Sequence, residues 1–460
     1  MKITAGKVAE ICGGRLLCGS PETEICSVAT DSRKLGDRTL FVPIRGERVD
    51  AHIFIEKTLE SGAAAALTQE HSAASGEKPW IAVRDTREAL QKIAAAYRAQ
   101  FSMPVIGITG SVGKTTTKEM VALALSGGRN VMKTEGNLNS QIGLPLTMFR
   151  LSDEYDAAVI EMGMSDFGEM ARLAAIAAPQ YAVMTNIGIS HLENLKTQEN
   201  IRAEKLHITD RFTEQSILFL NGDDPLLKPL SGKFSFRTVT FGMGEECHYR
   251  ASGIRTDGDG TAFLLTTPDG NRQEIRIPCL GDHNVRNALA AVAVSDALGV
   301  DRGASVSALA GYEPPAMRQQ IRRGNGITVL DDSYNASPDS VKSSLNVLRS
   351  LECAGKRGAV LADMLELGDL SEQAHYETGR EAARSGMDFL VTVGKRAEAI
   401  ARGALDENPS LLCRVCSENA EAIQALREIM EEGDDVLVKG SRSMKTDEIV
   451  SALLSEKGIE

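Results

Sequence analysis

The chain has 460 residues, 42% of them hydrophobic and 25% charged, with a formal net charge of -12. That composition excludes disordered and fibrous classes and leaves room for roughly two to four globular domains of about 100–200 residues each. The acidic balance excludes a nucleic-acid partner, because phosphate backbones are bound by basic surfaces that release counterions, so any anionic ligand must meet a locally positive pocket.

In chain order, the opening stretch MKITAGKVAEICGG lacks the apolar core of a signal peptide, and no apolar run reaches ~18 residues. Membrane insertion is therefore not expected, and a cytoplasmic location is. Residues 1–85 carry short apolar runs, Thr39 to Ile44 and Gly62 to Leu67, punctuated by glycine and charge. They predict a small α/β domain.

Residues 86–313 alternate strand-like with helix-like segments. Val105 to Thr109, Ala157 to Met162, Tyr181 to Thr185 and Ile217 to Leu220 read as buried parallel strands. The first of these runs into PVIGITGSVGKTTT, where Gly110, Ser111, Val112 and Gly113 form a turn and Lys114, Thr115 and Thr116 open a helix. Such a turn aims backbone N–H groups and the positive end of a helix dipole at one point, and Lys114 adds a full charge there. Thr115, directly after the lysine, is placed to hold a magnesium ion beside the phosphates. The residue five before Gly113 is Ile108 and the preceding glycine is Gly110, so the loop is a shortened phosphate-binding variant.

Glu161 closes the strand run YDAAVIEMG and would project at the carboxyl edge of the sheet, where open α/β sheets bind ligands. A metal ligand and a solvated strand-end carboxylate are the two readings. His191, one of 7 histidines, follows a strand in TNIGISHLENL and reads either as a metal ligand or as a hydrogen-bonded loop histidine. Between Tyr249 and Pro278, turn signals at Asp257-Gly258 and Asp269-Gly270 predict antiparallel hairpins forming a side sheet.

Pro314-Pro315 marks a hinge. Over residues 314–460, Ile327 to Leu330, Ala359 to Ala362, Phe389 to Val393 and Val436 to Val438 alternate with helical stretches and predict a third, Rossmann-like domain. Eight cysteines spread over this length read as reduced thiols, and Cys413 with Cys416, a lone CxxC, reads as incidental spacing. No internal repeat is present.

Taken together, the glycine loop, EMGMSDFGEM, TNIGISHLENLKTQENI, GDHNVRNALAA, DDSYNASPDS and KGSRSM resemble the Mur ligase family, in that family's order, from Asp31 to Arg442. DDSYNASPDS, MLELGDLSEQAH and TDSRKLGDRTLFVPIRGERVDAH most resemble the members that add D-alanyl-D-alanine to UDP-N-acetylmuramoyl-tripeptide. The resemblance implies an α/β chain of three domains: a small substrate-binding unit, a central P-loop ATPase-like sheet and a Rossmann-like unit that takes the dipeptide. It implies ATP and Mg2+, small-molecule substrates only, and a monomer.

By the same resemblance, Gly110, Gly113, Lys114, Thr115 and Thr116 meet the ATP phosphates, and Glu161 and His191 join Thr115 on magnesium. Asn284 and Asn287, whose other reading is helix capping, contact the adenine or ribose, with His283 beside them. Arg318 and Asp332 reach the nucleotide when the domains close. Tyr334, Asn335, Lys439, Ser441 and Arg442 position the dipeptide or an acyl phosphate, while Asn137, Asn139 and Ser140 face the substrate peptide. Asp31, Ser32, Arg33 and His52 match the uridine-diphosphate pocket. Lys205, in RAEKLHITDRF, aligns with a lysine that is carbamylated and helps hold a second magnesium; from the residues alone it reads as a helix lysine reaching into water. Ala51, Ser140, Ser337 and His207 stand where the family often has Gly, Asn, Asn and Glu.

The implied chemistry activates a carboxylate as an acyl phosphate, which an amine then attacks. Competing readings are a sibling that adds the third amino acid, a folylpolyglutamate-type ligase, or a nucleotide-dependent binding switch. No guanine-reading Asn-Lys-x-Asp segment supports the last.

Overall fold

The computed structural model describes residues 1–46 and 49–455. Three α/β bodies follow one another, each built on its own sheet. The first has five strands in the order Arg15–Cys18, Trp80–Ala82, Ala65–Thr68, Thr39–Phe41, Ser27–Ala29, all pairings parallel except that of Arg15–Cys18 with Trp80–Ala82. The helix Thr86–Arg98 ties this body to the next: Ala89, Leu90 and Ile93 enter the first core, while Ala94 and Tyr97 enter the second. Its start is fixed by Asp85, whose carboxylate accepts from Glu88 N–H at 2.8 Å.

The central sheet has nine strands. Val105–Thr109 lies between Ala157–Glu161 and Tyr181–Met184; Val131–Lys133 extends one side, Ile217–Asn221 and Arg237–Gly242 the other, all parallel. Chain order thus reverses direction at Val105–Thr109, the switch point outside which open α/β sheets hold ligands. The antiparallel strands Tyr249–Asp257, Gly260–Thr266 and Arg272–Ile277 continue from the Arg237–Gly242 edge through only two paired positions, Phe241 with Tyr249 and Gly242 with Arg250. Alternation along the strands feeds two cores: Ile106, Ile108, Val159 and Phe219 face the helices Lys114–Leu125 and Asp282–Ala297, whereas Val105, Ala158, Ile160 and Leu218 face Glu169–Ala177.

The third sheet has six strands, ordered Gln320–Gly324, Ile327–Asp331, Asp435–Lys439, Arg357–Ala362, Phe389–Val393, Leu412–Cys416, with only the first pairing antiparallel. The Pro314-Pro315 connection leading into it holds Met317 and Gln319 at φ of 61° and 53°, unusual for residues with a Cβ. Cys413 and Cys416 lie three apart on the edge strand and serve opposite faces of the sheet. All eight cysteines are free thiols. Among the described residues no helix is long and apolar enough to cross a membrane.

Candidate active site

A cleft of about 1550 Å³ opens at the carboxyl ends of the central strands and is roofed by the third body. Its floor is the Gly110–Thr116 turn. Gly110 and Gly113 take φ of 148° and 84°, values that a side chain disfavours, and a Cβ at Gly110 would strike the Thr185 hydroxyl. The helix Lys114–Leu125 starts here, so its first-turn N–H groups, which have no intrahelical partner, point into the cleft. Lys114 Nζ donates to the carbonyls of Gly110 (2.9 Å) and Ser111 (3.3 Å). Burial pushes its pKa down, and the nearby Glu161 carboxylate partly restores it.

Glu161 is 2% exposed, which removes the solvated-carboxylate reading. Its Oε1 accepts from Asn139 Nδ2 at 2.7 Å, and its Oε2 is buried with no partner. An orphaned, buried carboxylate oxygen is costly unless a cation meets it. Thr115, also buried, and His191 line the same cleft. This mostly oxygen donor set suits magnesium.

Lys205 corrects the solvated-lysine reading. The helix Gln198–Leu206 turns it inward to 1% exposure, and its Nζ donates to Gly110 O at 3.0 Å. Burial first, and the Lys114 charge second, hold its pKa well below the ordinary lysine value. His191, at φ 64°, sets its Nδ1 2.7 Å from Glu366 Oε2 of the third body.

The two asparagines do not cap a helix, because Gly281 holds the cap position of Asp282–Ala297. Instead Asn284 Nδ2 donates to Leu280 O at 2.8 Å and Asn287 Oδ1 accepts from Thr117 Oγ1 at 2.9 Å, tying this helix to the phosphate-loop helix beside the cleft. His283 Nε2 lies 2.7 Å from Gln319 Oε1. Burial lowers its pKa.

From the third body, Arg318 stacks on Tyr334 with 4.0 Å to the ring centroid, and Arg442 lies 5.8 Å from it. Asp332 is buried and accepts from Ser344 Oγ at 2.6 Å and from Lys439 Nζ. Lys439 also donates to Asn335 O at 3.0 Å, and burial depresses its pKa. Ser441 Oγ accepts from Leu365 N–H at 3.0 Å. Arg318, Asp332, Tyr334, Asn335, Lys439, Ser441 and Arg442, with Asn137, Asn139 and Ser140, all line the cleft.

Asp31, Ser32, Arg33 and His52 do not. Arg33 grips Asp31 through two bonds of 2.9 and 2.8 Å at the surface of the first body. His52 is 6% exposed; its Nε2 accepts from Gln69 N–H at 3.3 Å, so Nδ1 carries the proton toward Asp50 Oδ1, 2.6 Å away. Both ring nitrogens are thus engaged within the first body, bracing the loop. The nearby trio Asp50, His52 and Glu70 is already bridged by Arg45, which pairs with both carboxylates. Glu366, Asp339 and Tyr312 also line the cleft; Asp339 and Glu366 fall inside the DDSYNASPDS and MLELGDLSEQAH stretches, which by themselves give them no role, and nothing in the local sequence marks Tyr312.

Family comparison agrees with this geometry. Residues 24–98 match the Mur ligase family catalytic-domain model, 108–295 the Mur ligase middle domain and 317–442 the Mur ligase glutamate ligase domain. A Bacillus subtilis (strain 168) protein named UDP-N-acetylmuramoyl-tripeptide--D-alanyl-D-alanine ligase is 40% identical over 99% of both chains. A crystal structure of MurF from Acinetobacter baumannii superposes with a TM-score of 0.91 at 30% identity, covering 99% of each chain. The MurF ligase from Thermotoga maritima, solved in complex with ADP, matches at TM-score 0.82 and 29% identity over 92% of this chain and 96% of that one.

Proposed function

The chain belongs to the Mur ligase family, and from that premise we infer its reaction. It is an ATP-dependent, ADP-forming peptide ligase that joins D-alanyl-D-alanine to UDP-N-acetylmuramoyl-tripeptide in peptidoglycan precursor synthesis. The products are UDP-N-acetylmuramoyl-pentapeptide, ADP and phosphate. The observation that carries the reading is one cleft in which a phosphate turn, an orphaned carboxylate oxygen and a charged cluster of the third body face one another.

A carboxylate is a poor acylating agent. We assign the Gly110–Thr116 turn and Lys114 to the ATP phosphates, so that the terminal phosphoryl lies in line for attack by the tripeptide's carboxylate, giving an acyl phosphate and ADP. Positioning and charge neutralisation carry such a transfer. Thr115, Glu161 and His191 would hold magnesium, which when bound supplies charge neutralisation at the phosphates. Lys205, whose burial lowers its pKa and so favours the unprotonated amine, can take up CO2 as a carbamate, with loss of a proton, and so would add an anionic oxygen for a second ion. Asn284 and Asn287, which line the cleft from the Asp282–Ala297 helix, are assigned to the adenosine.

The dipeptide's free amine then attacks the acyl carbon, and phosphate leaves as the amide forms. Asn137, Asn139 and Ser140 would orient the tripeptide, while Arg318, Asp332, Tyr334, Asn335, Lys439, Ser441 and Arg442 would present the dipeptide. Roofing by the third body excludes water, to which an acyl phosphate is labile. In this reading residues 1–85 bind the uridine nucleotide through Asp31, Ser32 and Arg33, with His52 as a brace; 86–313 bind ATP; and 314–460 bind the dipeptide. We propose that the enzyme acts as a monomer, in the cytoplasm where its nucleotide substrates are.

Mass detection of product tests this. Incubation with ATP, magnesium, D-alanyl-D-alanine and UDP-N-acetylmuramoyl-tripeptide, carrying either diaminopimelate or lysine at position three, should give a pentapeptide adduct from at least one tripeptide. Product with single amino acids instead of the dipeptide would overturn the assignment.

A further inference from the structure

The segment Thr185–His191 is bonded to the phosphate turn through its first half, Thr185 to Gly188. Thr185 Oγ1 and Asn186 Nδ2 donate to Val112 O at 2.6 and 3.0 Å, Val112 N–H donates to Asn186 Oδ1 at 2.9 Å, and Ser111 N–H donates to Asn186 O at 3.1 Å. Gly188 N–H donates to Ser111 Oγ at 2.9 Å. On its other side the same segment receives two acids from the third body. Glu366, held at φ 64°, meets His191 at 2.7 Å. Asp339, in the first turn of the helix Pro338–Ser350, brings its carboxylate over Gly188, where an added Cβ would collide with Oδ2.

We propose that Thr185–His191 is the relay through which docking of the third body sets the phosphate turn, with Asp339 and Glu366 as the positioning residues that seat on it. Two features beyond adjacency support this. Gly188 has an ordinary φ, so what its lack of a side chain provides is room, for the Asp339 carboxylate first and for Ser111 Cβ, 3.3 Å from an added Cβ, second, rather than backbone freedom. His191 and Glu366 both hold left-handed backbones though neither is glycine, and such conformations persist only where surrounding contacts impose them. Because a packed, multiply bonded segment shifts as a unit, a seated third body fixes Ser111 and Val112, while an unseated one leaves them free to move.

The inference rests on the ligase reading, and its test separates the two. Asp339→Ala, Glu366→Gln and Gly188→Ala are compared with wild type for ligation kinetics and for the dissociation constant of a fluorescent ATP analogue. Each should lower kcat about tenfold or more while nucleotide affinity stays within twofold, because binding precedes docking. The Asp339→Ala/Gly188→Ala double variant should be no worse than the poorer single, since both remove one contact. Asp339→Asn, which keeps an acceptor oxygen, should recover most of the wild-type kcat and serves if the alanine variant does not fold. The relay is overturned if Asp339→Ala and Gly188→Ala keep kcat within twofold of wild type, if their effects multiply, or if nucleotide affinity falls in step with kcat. Failure of the wild-type enzyme to ligate would instead overturn the reaction assigned above.

Discussion

Replacing Lys205 by methionine should yield an inactive enzyme that is no less stable at neutral pH. The methionine keeps most of the stem's volume, and Gly110 O does not lose its last donor, because Lys114 Nζ bonds it at 2.9 Å. What disappears is a buried amine beside the Lys114 charge. Its folded pKa lies well below the unfolded value of about 10.4. Between those two values the unfolded chain binds a proton that the folded one does not, so wild-type stability rises with pH, by up to about 1.4 kcal/mol per pH unit. Below the folded pKa the full penalty applies. The Lys205→Met advantage should therefore be largest at the acid end of the range and shrink as pH climbs. Urea midpoints for both proteins from pH 6 to 9 measure the gap. A gap that is constant or widens with pH would show that the amine is charged in the fold, and the argument for a neutral, carbamate-forming Lys205 would fail.

Other variants probe the same floor. Lys114→Ala should cut kcat by about 10²–10³, the loss typical of one oriented donor on developing charge, measured as ADP formation; activity within threefold of wild type would contradict its role. Glu161→Gln removes the orphaned oxygen's charge, so magnesium-dependent thermal stabilisation, clear in wild type with ATP present, should vanish. Asn287→Ala breaks the bond to Thr117 and should raise KM for ATP several-fold, with kcat changed less, as steady-state kinetics would show.

The features legible in the sequence are those whose chemistry is local. Strand, glycine turn and lysine-threonine helix start are contiguous between Val105 and Thr117, so their geometry follows from backbone preferences alone. The buried parallel strands were readable because two covered faces demand unbroken apolar runs, as in Ala157–Glu161 and Phe389–Val393. Lys205 misleads when read alone, since helix lysines ordinarily reach water, and only the packing of Gln198–Leu206 under the turn reverses this. His52 shows the same dependence on packing: its motif does not reveal that Asp50 and Gln69 engage both ring nitrogens. Asp339 and Glu366 stand inside DDSYNASPDS and MLELGDLSEQAH, but their roles are not legible there because their partners, Gly188 and His191, lie some 150 or more residues away in sequence and meet them only through domain docking. Pairing across bodies leaves no periodicity or spacing to read.

The central claim, that the cleft moves a phosphoryl group onto a carboxylate before an amide forms, has a direct isotopic test. With UDP-N-acetylmuramoyl-tripeptide labelled by ¹⁸O in the carboxyl group that is joined, one labelled oxygen should appear in the released phosphate for each pentapeptide made. Phosphate free of label, with normal pentapeptide yield, would contradict it.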